Sequence, residues 1–399
     1  MVHASAHATE GKAGLIVLNL TEGPGDLDFL TWTPDPSSRG SRSGVAEAYE
    51  EISGHLLRRA AVPLQERIFA ELGAAPEALL QRAAVLQAHG LVPGVPPTCV
   101  EGRPGAGSGV AGIHIVSVRP GPGSDSDRVL EQRGEAIGRS VSGTEAGYLG
   151  LSDVGRMIPA GSCLGPAEET AAVYTLLDRA LSAEGWSIRD VRRTWFYLHR
   201  ILDWYDDFNR VRTHALKGLG AMSATCSGPL PASTGIRGTG IRGNWCTLDV
   251  LAMRALEGHA ADVRRLINPQ QNEAPEYGSA FSRGLSITTE RARYLLISGT
   301  ASIDDSGRSM HSGDFARQTE RTLDVVASLL AAAHAGLPDI CQATAFIKRP
   351  EDLPDARRAL DRVGLGAVLT VADVCRDELL FELDAIAVLP ATSRPNGGA

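Results

Sequence analysis

The sequence predicts an α+β protein made of tandem units, each an antiparallel sheet with helices packed on one face. Three observations carry that expectation. Residues from about 270 to 390 read in the order ββ–α–β–α–ββ, a hairpin followed by alternating helices and strands. The same order, from the first helix onward, stands about 150 residues earlier. The chain has 399 residues, 43% of them hydrophobic and 22% charged, too many for one ordinary core and enough for two or three units.

Taken in order, Gly14 to Leu20 is a short apolar run that reads as a strand, and TPDPSSRGSRSG after it reads as a loop. From Val45 to Gly90 the apolar spacing turns helical. It runs through Leu56, Leu57, Val62, Leu64, Ile68 and Leu72 to Leu79, Leu80 and Leu86, and fits one long or two shorter amphipathic helices. Residues 1–95 are therefore expected to form an N-terminal α/β extension. PGVPP opens a run of strands, PTCVEG and GVAGIHIVSVRP. In the second, Ile113 and Ile115 face one side while Val116 and Val118 face the other, as in a strand covered on both faces. GPGSDSD is a loop, and EAIGRSVSG a further strand before TEAGYLGLSDVGR.

The repeat begins at Glu168. The helix EETAAVYTLLDRALSAEG leads to the extended VRRTWFYL, the helix DWYDDFNRVRTHAL, LPASTGI and the strand-like NWCTLDVLAM. In the later copy the helix Asp314 to Gly336 leads to ICQATAFIK, the helix EDLPDARRALDRV, AVLTVADVC and LLFELDAIAV. Gly185 pairs with Gly336, Val191 with Ile340, Tyr197 with Phe346, and Leu248–Asp249 with Leu383–Asp384. The first unit is placed at 96–268, the second at 269–390, and a tail at 391–399.

A net charge of −8 argues against a nucleic-acid partner, because a phosphate backbone needs a basic face. No apolar run has the length of a membrane span, and MVHASAHATEGK lacks the pattern of a secretory signal. Six scattered cysteines without a CxxC suit reduced thiols in a cytoplasm. GRPGAGSG fits neither phosphate-binding glycine motif, no GxSxG is present, and the histidines have no HExxH or HxxxH spacing. No metal and no cofactor are expected.

The last strand carries the chemistry. In LLFELDAIAV the alternation puts Leu380, Glu382, Asp384 and Ile386 on one face. Two carboxylates there are costly unless the face opens on a cleft or finds partners; the plain alternative is an edge strand whose acids face water. Glu382 occurs only in the later copy, and Thr247 stands at the paired place in the earlier one. That asymmetry points to a functional acid. A carboxyl flanked by apolar residues is desolvated, holds its proton, and suits general acid work.

The strings YGSAFSRG, YLLISGTASID, AAAHAGLPDI and LLFELDAIAV resemble the RidA (YjgF) family of small enamine/imine deaminases. Phe281 stands at that family's first-strand aromatic and Glu382 at its acid. Its carboxylate-gripping arginine has no counterpart near Leu369, and the earlier copy has PASTG with Ser233, which argues against a plain deaminase. A wider resemblance runs from PTCVEGRPG and AGIHIVSVR through GYLG, DWYDDFN, PASTGI, EYGSAFSRG and ISGTASID to CRDELLFELDA. In order and in layout this set is similar to the chorismatases, the FkbO-like enzymes that release pyruvate from chorismate and look like tandem RidA units.

The resemblance implies chorismate as the small-molecule partner, with Glu382 delivering a proton to the enolpyruvyl methylene. A dianionic substrate needs arginines, whose planar forks match carboxylates. Arg283 lies on the same face as Phe281. Arg212 lies two turns from Tyr205 on one side of a helix. Tyr205, Tyr277 and Tyr148 complete the substrate-binding candidates; each arginine alone is more often a solvated charge. Gly284 and Cys375 match the pattern of the branch that forms 3-hydroxybenzoate, where the ring hydroxyl displaces the enolpyruvyl group. Small alanines at those places mark the hydrolytic branch. Taken without the resemblance, Cys375 is simply a small buried hydrophobe. The alternatives are the hydrolytic enzyme and a RidA-like module that binds a small acid without turnover. Duplication within one chain suits a monomer or weak oligomer.

Overall fold

The computed structural model describes residues 5–11, 14–34, 44–92, 94–104, 109–123, 126–159, 161–222 and 228–391. The expected tail at 391–399 lies almost wholly outside them. The first unit comprises β1 (Ser5–Gly11), β2 (Gly14–Glu22), β3 (Leu27–Thr33), α1 (Gly44–Arg59), β4 (Val62–Ala70), α2 (Ala75–Ala88), β5 (Thr98–Glu101) and β6 (Val110–Val118). The second comprises β7 (Asp127–Gln132), β8 (Glu135–Ser142), β9 (Ala146–Leu151), α3 (Pro166–Ala183), β10 (Val191–Leu198), α4 (Tyr205–Gly218), β11 (Ala232–Arg237) and β12 (Cys246–Ala255). The third comprises β13 (Asp262–Arg265), β14 (Gly284–Thr288), β15 (Ala292–Ala301), α5 (Phe315–Ala332), β16 (Ile340–Ile347), α6 (Leu353–Arg362), β17 (Val368–Val371) and β18 (Phe381–Pro390).

Three six-stranded sheets result, all of one strand order: β1-β2-β3-β6-β4-β5, β7-β8-β9-β12-β10-β11 and β13-β14-β15-β18-β16-β17. In each the pairing is antiparallel except for the two strands joined by the second helix, β4/β5, β10/β11 and β16/β17. The α+β class and the tandem antiparallel units expected from the sequence are present, but the repeat is threefold. The segment 1–95 is not a separate extension: β5 and β6 complete its sheet, with β6 hydrogen-bonded between β3 and β4. This central position explains why β6 is apolar on both faces. The second sheet therefore begins at β7 rather than at residue 96, and β13 pairs with β14, so the third begins near Asp262 rather than at 269.

The helical reading of Val45 to Gly90 is corrected as well. Between α1 and α2 the run VPLQERIFA is β4, with Glu66 and Ile68 on the helix side and Gln65, Arg67 and Phe69 on the other; a register shift between Pro63 and Gln65 turns Leu64 to that second side as well. Short strands with apolar residues on both sides mimic helical spacing. The later helices form as read. Asp314 caps α5, its side chain accepting from the Arg317 amide, and Val325, Val326, Leu329 and Leu330 cover the sheet.

Each sheet buries one face under its own helices. The opposite faces of all three meet in a shared interior that includes Phe29, Trp195, Leu251, Leu296 and Ile386. Phe69, Tyr197 and Phe346 occupy one level of it, with Phe69 6.2 Å from Tyr197 and 6.4 Å from Phe346. They are equivalent by register, lying opposite Gly112, Thr247 and Glu382 on the last strand of each sheet. The sites discussed next lie at the seams where one sheet meets the next.

Candidate active site

Glu382 lies one residue into β18, opposite Phe346, on the face that looks into the shared interior. Its side chain is 4% exposed and borders a cavity at the seam between the second and third units. The second unit contributes Tyr205 and Arg212 from α4 and Ser233 and Gly235 from β11. The third contributes Phe281 and Arg283 ahead of β14, Gly299 and Ala301 from β15, and Cys375, Arg376 and Leu379 from the loop before β18.

Two local features place the acid. Gly299 stands where a Cβ would come within 2.0 Å of Glu382 Oε1, so only glycine leaves the carboxyl its position. The register between β15 and β18 shifts between Ile297 and Thr300, re-aiming this part of the strand. Burial pushes the Glu382 carboxyl up to about 8, and the nearby Asp384 adds to the rise; Arg193, Arg283 and Arg376 oppose it. The group is thus protonated at neutral pH while cations stand around it, which is the state required of an acid facing an anion.

Arg212 is fixed by aromatic rings. Its guanidinium sits 5.0 Å from the Phe208 ring centroid and 5.2 Å from that of Phe281, and its Nη2 donates to Asn209 Oδ1. Its buried Nε has no partner among the described residues. Arg283 packs 5.8 Å from the same Phe281 ring, and its Nε donates to the Asn272 carbonyl at 3.3 Å. Arg376 donates to the Gly307 carbonyl at 2.6 Å. Tyr205 stacks on Phe208 with ring centroids 6.0 Å apart, and its hydroxyl bonds the Cys375 thiol. Burial pushes that thiol up to about 12, with the Glu382 carboxyl adding to it, so Cys375 is a neutral wall and not a thiolate nucleophile.

The free space inside measures about 60 Å³. One water occupies roughly 30 Å³ of the liquid, so a ring-sized ligand seats only if rim side chains swing outward. A larger recess, about 460 Å³, lies on the outer side of α4 and shares Ser279 with the cavity.

Asp384, next on the same face, is held from across the seam. Its Oδ2 accepts from Arg193 Nη2 at 3.0 Å, Trp195 Nε1 at 3.0 Å and Thr234 Oγ1 at 2.9 Å. Burial lowers the Arg193 guanidinium to about 10, and Asp384 pulls it back up.

Six of the nine residues selected from sequence meet here: Glu382, Cys375, Arg283, Arg212, Tyr205 and Phe281. Three do not. Tyr148 is buried on β9 in another cluster, its hydroxyl 3.4 Å from Asp26 Oδ2, because GYLG is an interior strand and not a turn beside the cavity. Gly284 faces the helix side of its sheet, where an added Cβ would meet Leu266 and Leu329 at 3.2 Å; it follows the cavity-facing Arg283 and so points the other way. The side chain of Tyr277 lies outside the described residues. Sequence reasoning missed Gly299 and Arg376. Arg376 was legible as the charge beside Cys375 in CRDELLFE, whereas nothing in ISGTASID marks its glycine.

Among the described residues no group of three or more His, Cys, Asp or Glu side chains could hold a metal ion, and no helix is long and apolar enough to cross a membrane. Residues 272–389 match the family described as Endoribonuclease L-PSP. Among curated proteins there is no match to the chain. Among solved structures, a chorismatase is 24% identical, covering 74% of this chain and 88% of its own, with a TM-score of 0.57. The E. coli YjgF gene product is 20% identical over 31% of this chain and 98% of its own, at a TM-score of 0.26. Yeast Mmf1 is 13% identical over 32% and 98%, at 0.27. The third unit thus matches the Endoribonuclease L-PSP family, and 74% of the chain shares its fold with the chorismatase.

Proposed function

We propose that the protein converts chorismate to 3-hydroxybenzoate and pyruvate without a cofactor. The observation that carries this reading is a carboxyl buried in a cavity bordered by Arg212, Arg283 and Arg376, where burial favours its protonated form. A substrate with two carboxylates matches three cations, and an enol ether needs one proton. Glu382 gives that proton to the methylene carbon, leaving an oxocarbenium-like centre on the side chain. The guanidiniums hold the carboxylates and keep the reacting carbon over the acid. The neighbouring ring hydroxyl displaces the enolpyruvyl oxygen, forming an epoxide as the C–O bond breaks and pyruvate leaves. Loss of a ring proton with epoxide opening gives the aromatic product, and a proton returns to Glu382. Chorismate supplies every atom of both products, and no water is consumed.

The hydrolytic outcome is the second reading. Gly284, one of the two positions expected to mark the internal route, faces away from the cavity, so Cys375 alone supports it. Its side chain occupies wall space beside Glu382 that a smaller residue would cede to water. Incubation with chorismate followed by chromatography tests both: 3-hydroxybenzoate with pyruvate is expected, a dihydroxycyclohexadiene carboxylate with pyruvate selects hydrolysis, and undiminished chorismate refutes both.

A further inference from the structure

We infer that Asp384, clamped by three side chains of the second unit, is a positioning residue that keeps Glu382 protonated and aimed into the cavity. The inference rests on the reading of Glu382 as the proton donor and adds a residue to it that never touches substrate.

Asp384 is 3% exposed and shares the interior face of β18 with Glu382. One of its oxygens takes three donors, from Arg193 and Trp195 on β10 and Thr234 on β11. The chain of contacts continues to the acid. Arg193 Nη2 also donates to Thr234 Oγ1 at 2.6 Å, that oxygen accepts the Gly299 amide at 3.1 Å, and Gly299 is the residue whose missing side chain leaves room for Glu382 Oε1. The strand, the anion and the glycine beside the acid are therefore pinned together across the seam. Trp195 is itself held between cations, with Arg67 3.8 Å and Arg193 4.7 Å from its ring centroid.

The groups facing the pair are accounted for from every packed element. Arg193 of β10 faces both carboxyls, with Arg67 of β4 and Tyr197 of β10 close by. Arg283 and Arg376 face Glu382 from the third unit, and Cys375 and Arg212 border the same cavity. The arginines favour an ionised Glu382. Asp384 is the neighbouring anion that favours the protonated acid most, and its charge cancels that of Arg193 where the two meet. Replacing it by asparagine keeps the shape, removes the charge and leaves Arg193 uncompensated. Glu382 should then lose its proton at lower pH.

The test titrates the acid directly, in the full chain without substrate, by pH-difference infrared spectroscopy. The protonated-carboxyl band is assigned to Glu382 by its absence in Glu382→Gln. In Asp384→Asn the midpoint of that band is expected to fall by roughly one pH unit or more. Asp384→Ser, which removes the same anion and keeps an acceptor for the Arg193 donor, should move it the same way. That variant decides the matter if Asp384→Asn does not fold. A midpoint unchanged in the folded variants, or no band at all near neutral pH, overturns the inference. Failure of the wild-type protein to consume chorismate would sink the proposed reaction while leaving the infrared outcome intact, so the two failures are distinguishable.

Discussion

The seam between the second and third units and the seam between the first and second share one plan and differ in what fills it. In both, a threonine on the fifth strand donates to an aspartate on the last strand of the next unit: Thr234 to Asp384, and Thr98 to Asp249 at 2.6 Å. Two residues before the aspartate stands Glu382 in one and Thr247 in the other. Gly299, two residues past Ile297, corresponds to Asp153, two past Leu151, and the Asp153 amide donates to Asp249 Oδ1 at 2.9 Å. Where glycine vacates space for a long acid, the other seam has a short hydroxyl and fills the space with a carboxylate. At the seam between the third and first units the counterpart of Glu382 is Gly112, and a Cβ there would meet Val368 at 2.5 Å, so the position is closed. A threefold frame thus carries a glutamate-lined cavity at one seam, and two substitutions separate that position from its counterpart between the first and second units.

The comparison breaks most directly at the acid. Glu382→Gln should lower chorismate consumption by at least ~100-fold, the usual contribution of a general acid, read as retained substrate absorbance. Gly299→Ala follows, since a methyl group cannot share space with Glu382 Oε1. Displacement of the carboxyl by about an ångström costs on the order of 100-fold. Asp153→Gly at the packed seam should leave turnover unchanged, and a loss there would mean the two seams are not functionally distinct. Arg212→Ala removes a guanidinium held between two rings and is expected to raise KM by about 10-fold, with a smaller change in kcat.

Two pH effects sharpen the contrast. Glu382 must be protonated to act, so kcat/KM should fall as pH rises through about 8. Stability should follow the same sign. The folded carboxyl titrates far above its unfolded value, so its contribution is intact below the ordinary carboxylate range and is lost as pH rises from there to about 8. Glu382→Gln, which cannot ionise, should unfold at a higher temperature than the wild type above pH 8, by on the order of a few kcal/mol in stability. At the packed seam burial raises Asp249 to about 6, with Arg67 opposing, so stability there declines over a lower window, ending near pH 6. The smallest effect expected is Cys375→Ala, which should shift products toward hydrolysis with little change in overall rate.

Periodicity made much of this legible. The alternation of LLFELDAIAV placed Glu382 and Asp384 on one face, and the copy at NWCTLDVLAM placed Asp249 while withholding the acid. Tyr205 and Arg212, seven residues apart on α4, do line one cavity, as do Phe281 and Arg283, two apart on an extended segment. The first unit escaped notice because β4 mimics helical spacing and because the polar loop after β3 hides the hairpin before it. Gly284 was selected for its neighbours in sequence, and a one-residue step in an extended chain reverses the side it faces.

The sequence by itself determined which later segments form helices and strands, which faces they bury, and that Glu382 and Asp384 share one face, since these depend on the order of apolar and polar residues along a strand or helix. Only the tertiary structure decided that Arg193, Trp195 and Thr234 meet Asp384, that Gly299 makes room for Glu382, and that this acid borders a cavity between the second and third units. Those contacts join residues up to 191 positions apart across separate sheets. No local pattern encodes such a distance; it follows from how three faces, each poorly buried alone, close around a common interior.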